Sequence, residues 1–570
     1  MIDNLKRLLR IVTSNDATKS WGYPSWMLTE FFDDNQNIIS KPVSEWIRET
    51  VCDALKWRCD AKHAIEESTY CLFIRSFGAY YENGQLHPGT FLSCFPLVKR
   101  IALMGYGRVV ILPIFQIGKE SRKGEFGSPY ALLDEYTIDD FLVTQYFAGC
   151  TAEDQFAAFC ELLNCYGLEL IVDIPFRLAA RDSKLTLVHP EWFYWIKTNS
   201  PFRYPSDGMT QEAYREQFVS SPTVADFSDF LTQTSCTTFL KWCKNNLGII
   251  TMPAFSDVPD DPQEPWWDVT YFRCLENSPE WFDYKDITPP GLVAPLRQRM
   301  QNLVEFQSKF GFRGYRVDGA HALGIQTLTA LRNGLQNDIL LLGEAFDTRQ
   351  ITDLEIAGFD AVTGSVWGVI DHLGEEAMPN LLETYAHSIA LPYLGALETH
   401  DSPRVSRWIS SSQVIAAHVI ASCLPGAMPF CVAGQEVGDS YPMNLGYGMD
   451  NRHYSRLPLF DLVPLRIGTT SRLSWIACQL SLLLWRGLGR QRTIDTAVPG
   501  VARFLGECTV LVNCTGQDRA VDHHISLLMI IDQNGVANVI KDNASVLLPS
   551  FAVGVTGNDA LIHSLLRCCS

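Results

Sequence analysis

Eight short apolar runs, rich in β-branched residues, recur along this 570-residue chain and constrain its fold more than any other feature. They are CLFIRSF (71–77), VVILPIF (109–115), LELIVDIP (168–175), YRVDGA (315–320), ILLLGEAF (339–346), FDAVTGSVW (359–367), LPYLGALE (391–398) and AMPFCVAG (427–434). Each is nearly continuous in hydrophobicity instead of alternating. That pattern marks strands covered on both faces, as in a parallel sheet. Helix-type patterns lie between most of them, for example DQFAAFCELLNCYG (154–167) and IQTLTALRNGL (325–335). Eight strands alternating with helices favour a closed (β/α)8 barrel, a TIM barrel, over a doubly wound sheet.

The spacing breaks once. A barrel unit averages roughly 30 residues. Asp318 and Glu344 are 26 positions apart, whereas Asp173 and Asp318 are 145 apart. The excess, 176–290, is rich in Pro, Trp and Asp and is predicted to be a subdomain inserted after strand 3, on the loops of the catalytic face. The barrel is expected over 66–485. Residues 1–65 read as an N-terminal helical segment, from NLKRLLRIV and VSEWIRETVCDALKW. Residues 490–570 turn to short strands and turns, which predicts a C-terminal all-β domain of sandwich type. The fold class is therefore α/β: a barrel with an insertion and a C-terminal β domain.

Charge and cysteine usage exclude some functions. The chain has 46 basic and 64 acidic residues, a net charge of −18. Such a chain repels nucleic acid and anionic membranes, so neither is an expected partner. Its 17 cysteines are odd in number and scattered, without a CxxC, which suits buried thiols in a reducing compartment. The N-terminus is too charged for a signal peptide. The apolar stretch 474–485 is too short to span a bilayer, and 414–434 is interrupted by His418, Pro425 and Pro429. A cytoplasmic protein is expected. There is no Walker, HExxH or GxSxG motif, so no cofactor or metal is expected, and the residues do not argue for a structural calcium. A homodimer is left open.

Four strand ends carry polar groups where a pure core would carry none. They are Asp173; Arg316 with Asp318; Glu344; and His400 with Asp401 in LETHDSPR. Burying a charge is costly, so a charge closing an apolar run needs a reason. Taken singly, each is readable as a rim ion pair. As a set in this order they point to one site. Paired carboxylates on neighbouring strand ends are what retaining glycosidic chemistry requires.

Those four segments, LIVDIPFRL, GYRVDGAH, LLGEAF and LETHDSPR, resemble the four signature regions of the α-amylase family of glycoside hydrolases and transglycosylases (family 13). Within it the chain is most similar to the bacterial maltosyltransferases acting on α-1,4-glucans, a likeness extending to KGEFGSPYAL (123–132), VDIPFRLAARDSKLTLVHPEWFYWIK (172–197), GIITMPAFSDVPDDPQEPWWDVTYFR (248–273) and GQEVGDSYPMNLG (434–446). The resemblance implies Asp318 as nucleophile, Glu344 as acid/base and Asp401 as the carboxylate that grips sugar hydroxyls. It places His400 and Asp173 beside them and Tyr130 as an aromatic platform under the sugar, with a core tyrosine as the alternative. Arg316, two residues before Asp318, is expected to keep Asp318 ionised; Glu344, with fewer positive neighbours, would keep its proton. His321 stands where amylases commonly carry Lys, within reach of a leaving group or acceptor. Gln435 and Glu436, after strand 8, are expected at the donor end. Some of Trp192, Phe193, Tyr194, Trp195, Trp266 and Trp267 are expected to line a glucan path, the rest to form subdomain core.

One departure matters. The first signature region of amylases continues to an Asn-His pair, and here those positions are Arg177 and Leu178. Arg177, with Arg181, would suit a phosphate or carboxylate near the donor pocket; a structural pair with Asp182 is the alternative. The expected reaction moves a maltosyl unit from a donor glucan to the 4-hydroxyl of an acceptor. The alternatives are maltose 1-phosphate as donor, α-amylase-type hydrolysis, and a non-catalytic glucan-binding protein. The expected partner is an α-1,4-glucan or maltooligosaccharide, with phosphate or a sugar phosphate left open.

Overall fold

The computed structural model describes the chain except residues 15–18, 61–66, 200–202, 204–208, 224–235, 255–265, 274–293, 336–337, 445–458 and 463–470, and positions 1, 30, 34, 36, 365 and 570. Eight parallel strands close into a barrel: β1 (Thr69–Leu72), β2 (Arg108–Ile111), β3 (Glu169–Ile174), β4 (Gly314–Val317), β5 (Leu340–Gly343), β6 (Ala361–Val362), β7 (Tyr393–Gly395) and β8 (Ala427–Val432), with β8 pairing β1. Every predicted run contributes one strand. The strands are shorter than the runs, because the apolar sequence continues past the sheet. CLFIRSF, for instance, ends in a helical turn at Ile74–Phe77 that is buried.

Helices return the chain between strands. In order they include α1 (Asp3–Ser14) and α2 (Val43–Asp60) before the barrel, then α3 (Phe95–Met104), α4 (Ala152–Cys165), α5 (Ala294–Phe310), α6 (Gly324–Gly334), α7 (Thr348–Ala357), α8 (Met378–Ser388), α9 (Val414–Cys423) and α10 (Arg472–Leu488), with α11 (Asp559–Cys569) at the far end. Their limits follow local chemistry. Thr151 and Asp154 form a capping box at the start of α4, and Gly105, in the left-handed region (φ 99°), ends α3. The helix α9 is buried along its whole length and has no polar face, as expected of a helix covered on all sides.

The first 60 residues are not helical throughout. Between α1 and α2 the strands Ser20–Pro24 and Ile38–Pro42 pair and join Tyr80–Glu82 and Gln85–His87 in a four-stranded sheet. The helices α1 and α2 pack on α3 and α4 and share the barrel's core. Glu161 of α4 accepts the orphan N–H groups of Asn4 and Leu5, placing a carboxylate at the positive end of α1.

Between β3 and α5, described strands form two three-stranded sheets. One joins Leu178–Ala180, Trp266–Tyr271 and Pro253–Ala254; the other joins Phe218–Val219, Trp195–Lys197 and Ile249–Thr251. After α10 a six-stranded antiparallel sheet spans Thr493–Thr556. One of its faces (Phe504, Val510, Met529, Val555) merges with the main core, and the other (Leu511, Leu528, Ile530, Val546) forms a cluster of its own. The helix α11 follows the sheet and packs on α10. Among the described residues no helix is long and apolar enough to cross a membrane.

Candidate active site

Register brings the polar strand ends together. Asp173 on β3 is the direct partner of Arg316 on β4, so both side chains enter the barrel at one level. The Asp318 N–H donates to the Ile174 carbonyl (3.0 Å), which hangs Asp318 from the end of β3. Gly319 follows in the left-handed region (φ 58°) and donates its N–H to Glu344 Oε2 at 2.7 Å. A side chain there would strain the turn that lets this backbone reach Glu344. Glu344 itself begins three residues before Asp347, whose carboxylate caps α7 in a capping box with Gln350. The cap and the bond from Glu344 N–H to Val317 O (3.1 Å) leave the loop little freedom.

One guanidinium holds three carboxylates. Arg316 Nη1 lies 2.7 Å from Asp173 Oδ2 and 2.8 Å from Asp318 Oδ1, and Nη2 lies 2.5 Å from Glu344 Oε1. Burial works against the Arg316 charge, but Asp173 and Glu344 hold its proton well above the usual range. The expected division of labour, with Arg316 serving Asp318 and leaving Glu344 without a cation, is not what the structure has, because Arg316 serves both. Burial first, and then Glu344, push the Asp318 carboxyl well above the ordinary carboxylate range, with Arg316 pulling it back. A single guanidinium cannot balance three carboxylates, so Asp318 is left with more negative than positive charge around it.

A second layer completes the site. The Tyr130 hydroxyl donates to Asp173 Oδ2 (2.8 Å) and lies 2.6 Å from His400 Nε2, and its ring stacks on His400 at 5.5 Å. His400 Nε2 pairs with Asp401 Oδ2 at 3.0 Å. Burial would lower the His400 pKa, but Asp401 raises it well above its usual value. Asp401 is shifted down: burial opposes the charge, yet His400, Asn444 and Lys123 outweigh it. Asn444 Nδ2 donates to Asp401 Oδ1 (2.5 Å), and Lys123 Nζ donates to Asn444 Oδ1 (2.7 Å). Lys123 and Asn444 had not been singled out from sequence, although both lie in segments that carry the family resemblance. The signal available was a lysine and an asparagine in otherwise Gly-, Pro- and apolar-rich loops.

Other candidates are placed differently. The His321 N–H donates to the Glu344 carbonyl (2.9 Å), and its ring meets Phe346 edge-on at 5.1 Å, so it stands beside Glu344. Gln435 and Glu436 lie in the layer between β8 and the helices. Glu436 Oε1 accepts from Arg100 (2.7 Å) and Tyr70 (3.0 Å), and Oε2 from the Gly434 N–H (2.9 Å). Gln435 Oε1 accepts from the Val432 N–H, and its Nε2 meets His418 Nε2 at 3.1 Å. Arg177 is buried over the Tyr271 ring (4.7 Å), and Arg181 donates to Thr251 Oγ1 and the Trp267 carbonyl, so both are held by the inserted segment. Asp182 accepts from the Lys119 and Glu120 N–H groups. Phe193, Tyr194 and Trp195 are insertion core, whereas Trp267 is exposed and Trp192 stacks on His189 at 3.6 Å. The Trp266 side chain lies outside the described residues.

Asp173, Asp318 and His400 offer ligand atoms within 4.8 Å of one another, the one such trio among the described residues. They do not fit a cation. Arg316 already bonds both carboxylates, and the raised His400 imidazole is a poor ligand.

With this geometry in hand, comparison with solved structures is decisive for the fold. The crystal structure of an α-amylase from Lactobacillus plantarum superposes with a TM-score of 0.54, covering 88% of this chain and 99% of that one at 18% identity. The fold is that of the α-amylases. In sequence, the chain is 34% identical over 136 residues to the α-1,4-glucan:maltose-1-phosphate maltosyltransferase of Mycolicibacterium smegmatis, covering 22% of this chain and 19% of that one. It is 32% identical over 154 residues to the protein of the same name from Corynebacterium glutamicum, covering 25% and 22%. The alignments thus span about a fifth of the length of the curated relatives. No family model matches the chain.

Proposed function

We propose that this α-amylase-type barrel is a glucan-active enzyme, specifically a retaining transferase that moves maltosyl units to the 4-hydroxyl of an α-1,4-glucan. The observation that carries the reading is the single buried Arg316 bonded to Asp173, Asp318 and Glu344 at the ends of three adjacent strands. Two carboxylates held on one guanidinium stay close, which suits the roughly 5 Å separation of retaining pairs better than the wider gap of inverting ones.

Asp318 attacks the anomeric carbon and Glu344 protonates the leaving oxygen. Glu344 then takes the proton of the acceptor hydroxyl as the glycosyl-enzyme is discharged. The positive charge that develops at the anomeric carbon favours the ionised form of Asp318, which the reaction needs as nucleophile. Asp401, anchored by His400 and Asn444, accepts sugar hydroxyls; Tyr130 supplies a flat face beside them. His321, whose backbone N–H bonds the Glu344 carbonyl, is the residue assigned to the leaving group or acceptor in this reading.

The donor stands between maltose 1-phosphate and a glucan. The names of the curated relatives favour maltose 1-phosphate. Incubating the protein with maltose 1-phosphate and maltotetraose tests this. Phosphate release in step with chains longer by two glucose units supports the reading. The same ladder from maltotetraose alone, without phosphate, means a glucan donor. Growth of reducing ends means hydrolysis, and unchanged sugars from folded protein mean a binding protein.

A further inference from the structure

Outside the carboxylate cluster, the described cysteines are free thiols and most are buried. Cys568 and Cys569, at the end of α11, differ. Both are partly exposed and adjacent in sequence, and Cys568 Sγ lies 3.9 Å from the Ile476 carbonyl. Cys569 lines a cavity of about 530 Å3, walled by Arg472 and Ile476 of α10, the turn at Asn534–Val536, and Leu566. That volume is in the range of sites for ligands the size of a short peptide. Arg472 Nη2 donates to the Cys569 carbonyl (3.3 Å), which sets a cation at the thiol end of the cavity.

We propose that Cys569 is a thiol–disulfide exchange site that takes a small anionic disulfide, of the glutathione disulfide class, into this cavity. The thiolate attacks one sulfur of the ligand, and a bond forms between Cys569 Sγ and that sulfur. The ligand's own S–S bond breaks, and its other half leaves as a thiolate with the electron pair. The proton lost from Cys569 ends on that leaving thiolate, and no other oxidant is needed.

Three features support this chemistry. Cys568, and then Arg472, lower the Cys569 pKa against the opposing effect of burial, which puts more of the nucleophilic form in the cavity. Burial instead pushes thiols such as Cys423 and Cys508 up, to about 12 and about 11. Finally, consecutive Cα atoms are about 3.8 Å apart, below the roughly 4.4 Å lower limit of relaxed disulfides. The pair therefore does not close on itself. Cys568 is a positioning residue that donates to the Cys569 thiolate, and the mixed disulfide is the resting product.

The test is a time course of the folded, full-length protein with glutathione disulfide at neutral pH, read by peptide mass spectrometry. The expected result is one glutathionyl group on Cys569 ahead of the exposed Cys52. Cys568→Ser, which keeps a donor, retains the rate. Cys568→Ala slows it by about threefold for each unit by which the Cys569 pKa rises, because the loss of thiolate outweighs the gain in its nucleophilicity. Arg472→Ala slows the reaction with glutathione disulfide but not with the neutral 2-hydroxyethyl disulfide. Salt on the unmodified protein does the same, which keeps the test independent of how the variants fold. Labelling of Cys52 with Cys569 untouched overturns the proposal. So does a Cys568–Cys569 disulfide as the main product, or an equal effect of charge on both disulfides.

Discussion

Two buried clusters in this molecule use the same residue types to opposite ends. At the barrel rim, one arginine faces three carboxylates, and Asp173 Oδ1 has no hydrogen-bond partner. Behind β8, Glu436 has every demand met: Arg100 and Tyr70 on one oxygen, the Gly434 N–H on the other. Arg100 is in turn stacked between Trp26 and Trp475. The rim cluster holds more carboxylate than cation and the Asp318 carboxyl is pushed up, the electrostatic condition for general acid–base work. The Glu436 cluster is neutral and closed, the condition for holding an element in place. Buried acids next to arginine therefore do not mark a site; the imbalance does.

The sharpest break of that contrast is a pair of isosteric substitutions. Asp318→Asn is expected to lower maltosyl transfer by at least about 10⁴-fold, with melting temperature unchanged or raised. Glu436→Gln is expected to leave the turnover of the folded fraction intact while costing about 3–5 kcal/mol of stability, because it breaks a fully buried pair. Product assays and thermal unfolding on both variants check this. Equal behaviour of the two would erase the distinction.

Next in size is the support of Asp401. Lys123→Met or Asn444→Ala is expected to cut the kcat of the folded fraction by about 10- to 100-fold through a misplaced carboxylate, with a smaller loss of melting temperature at neutral pH. The acid limb sharpens the point. Asp401 is shifted down in the folded protein, so its stabilisation is present above its unfolded pKa and is lost as pH falls through the folded one. Removing Asn444 brings the folded value back up, so acid unfolding of Asn444→Ala begins at a higher pH than in the parent.

The smallest effect is a stability profile. The Asp318 pKa is raised in the folded protein, so its contribution favours folding below an unfolded pKa of about 3.9 and is lost as pH rises through the folded value. The melting temperature of Asp318→Asn relative to the parent should therefore climb from acid to neutral pH. A flat difference would mean that Asp318 is not under the strain inferred from its neighbours.

The barrel was legible because its strands are buried on both faces, which leaves an unbroken apolar signature. Their ends were not, since Ile74–Phe77 stays buried and Trp367–Ile370 stays apolar in sequence while both leave the sheet as helical turns. The hairpin inside the first 60 residues escaped for another reason: SWGYP and IISKP are short, and the sheet they form with each other is completed by Tyr80–Glu82 and Gln85–His87, far along the chain. Asp173, Arg316, Asp318, Glu344, His400 and Asp401 stood out as charges closing apolar runs, and the structure brings all six together. Gln435 and Glu436, expected at the donor end because they follow β8, have side chains bonded within the helix layer, into which the chain turns through Gly434 (φ 94°). Lys123 and Asn444 were silent: their role arises only when two distant loops meet at Asp401.

The central claim is that Asp318 becomes covalently glycosylated while Glu344 carries the proton. Intact-protein and peptide mass spectrometry of Glu344→Gln incubated with α-maltosyl fluoride tests it most directly, since the activated donor needs no acid and discharge to an acceptor is slowed. The account predicts one maltosyl group on the peptide carrying Asp318. A glycosyl group on another residue, or release of product with inverted anomeric configuration and no adduct, would contradict it.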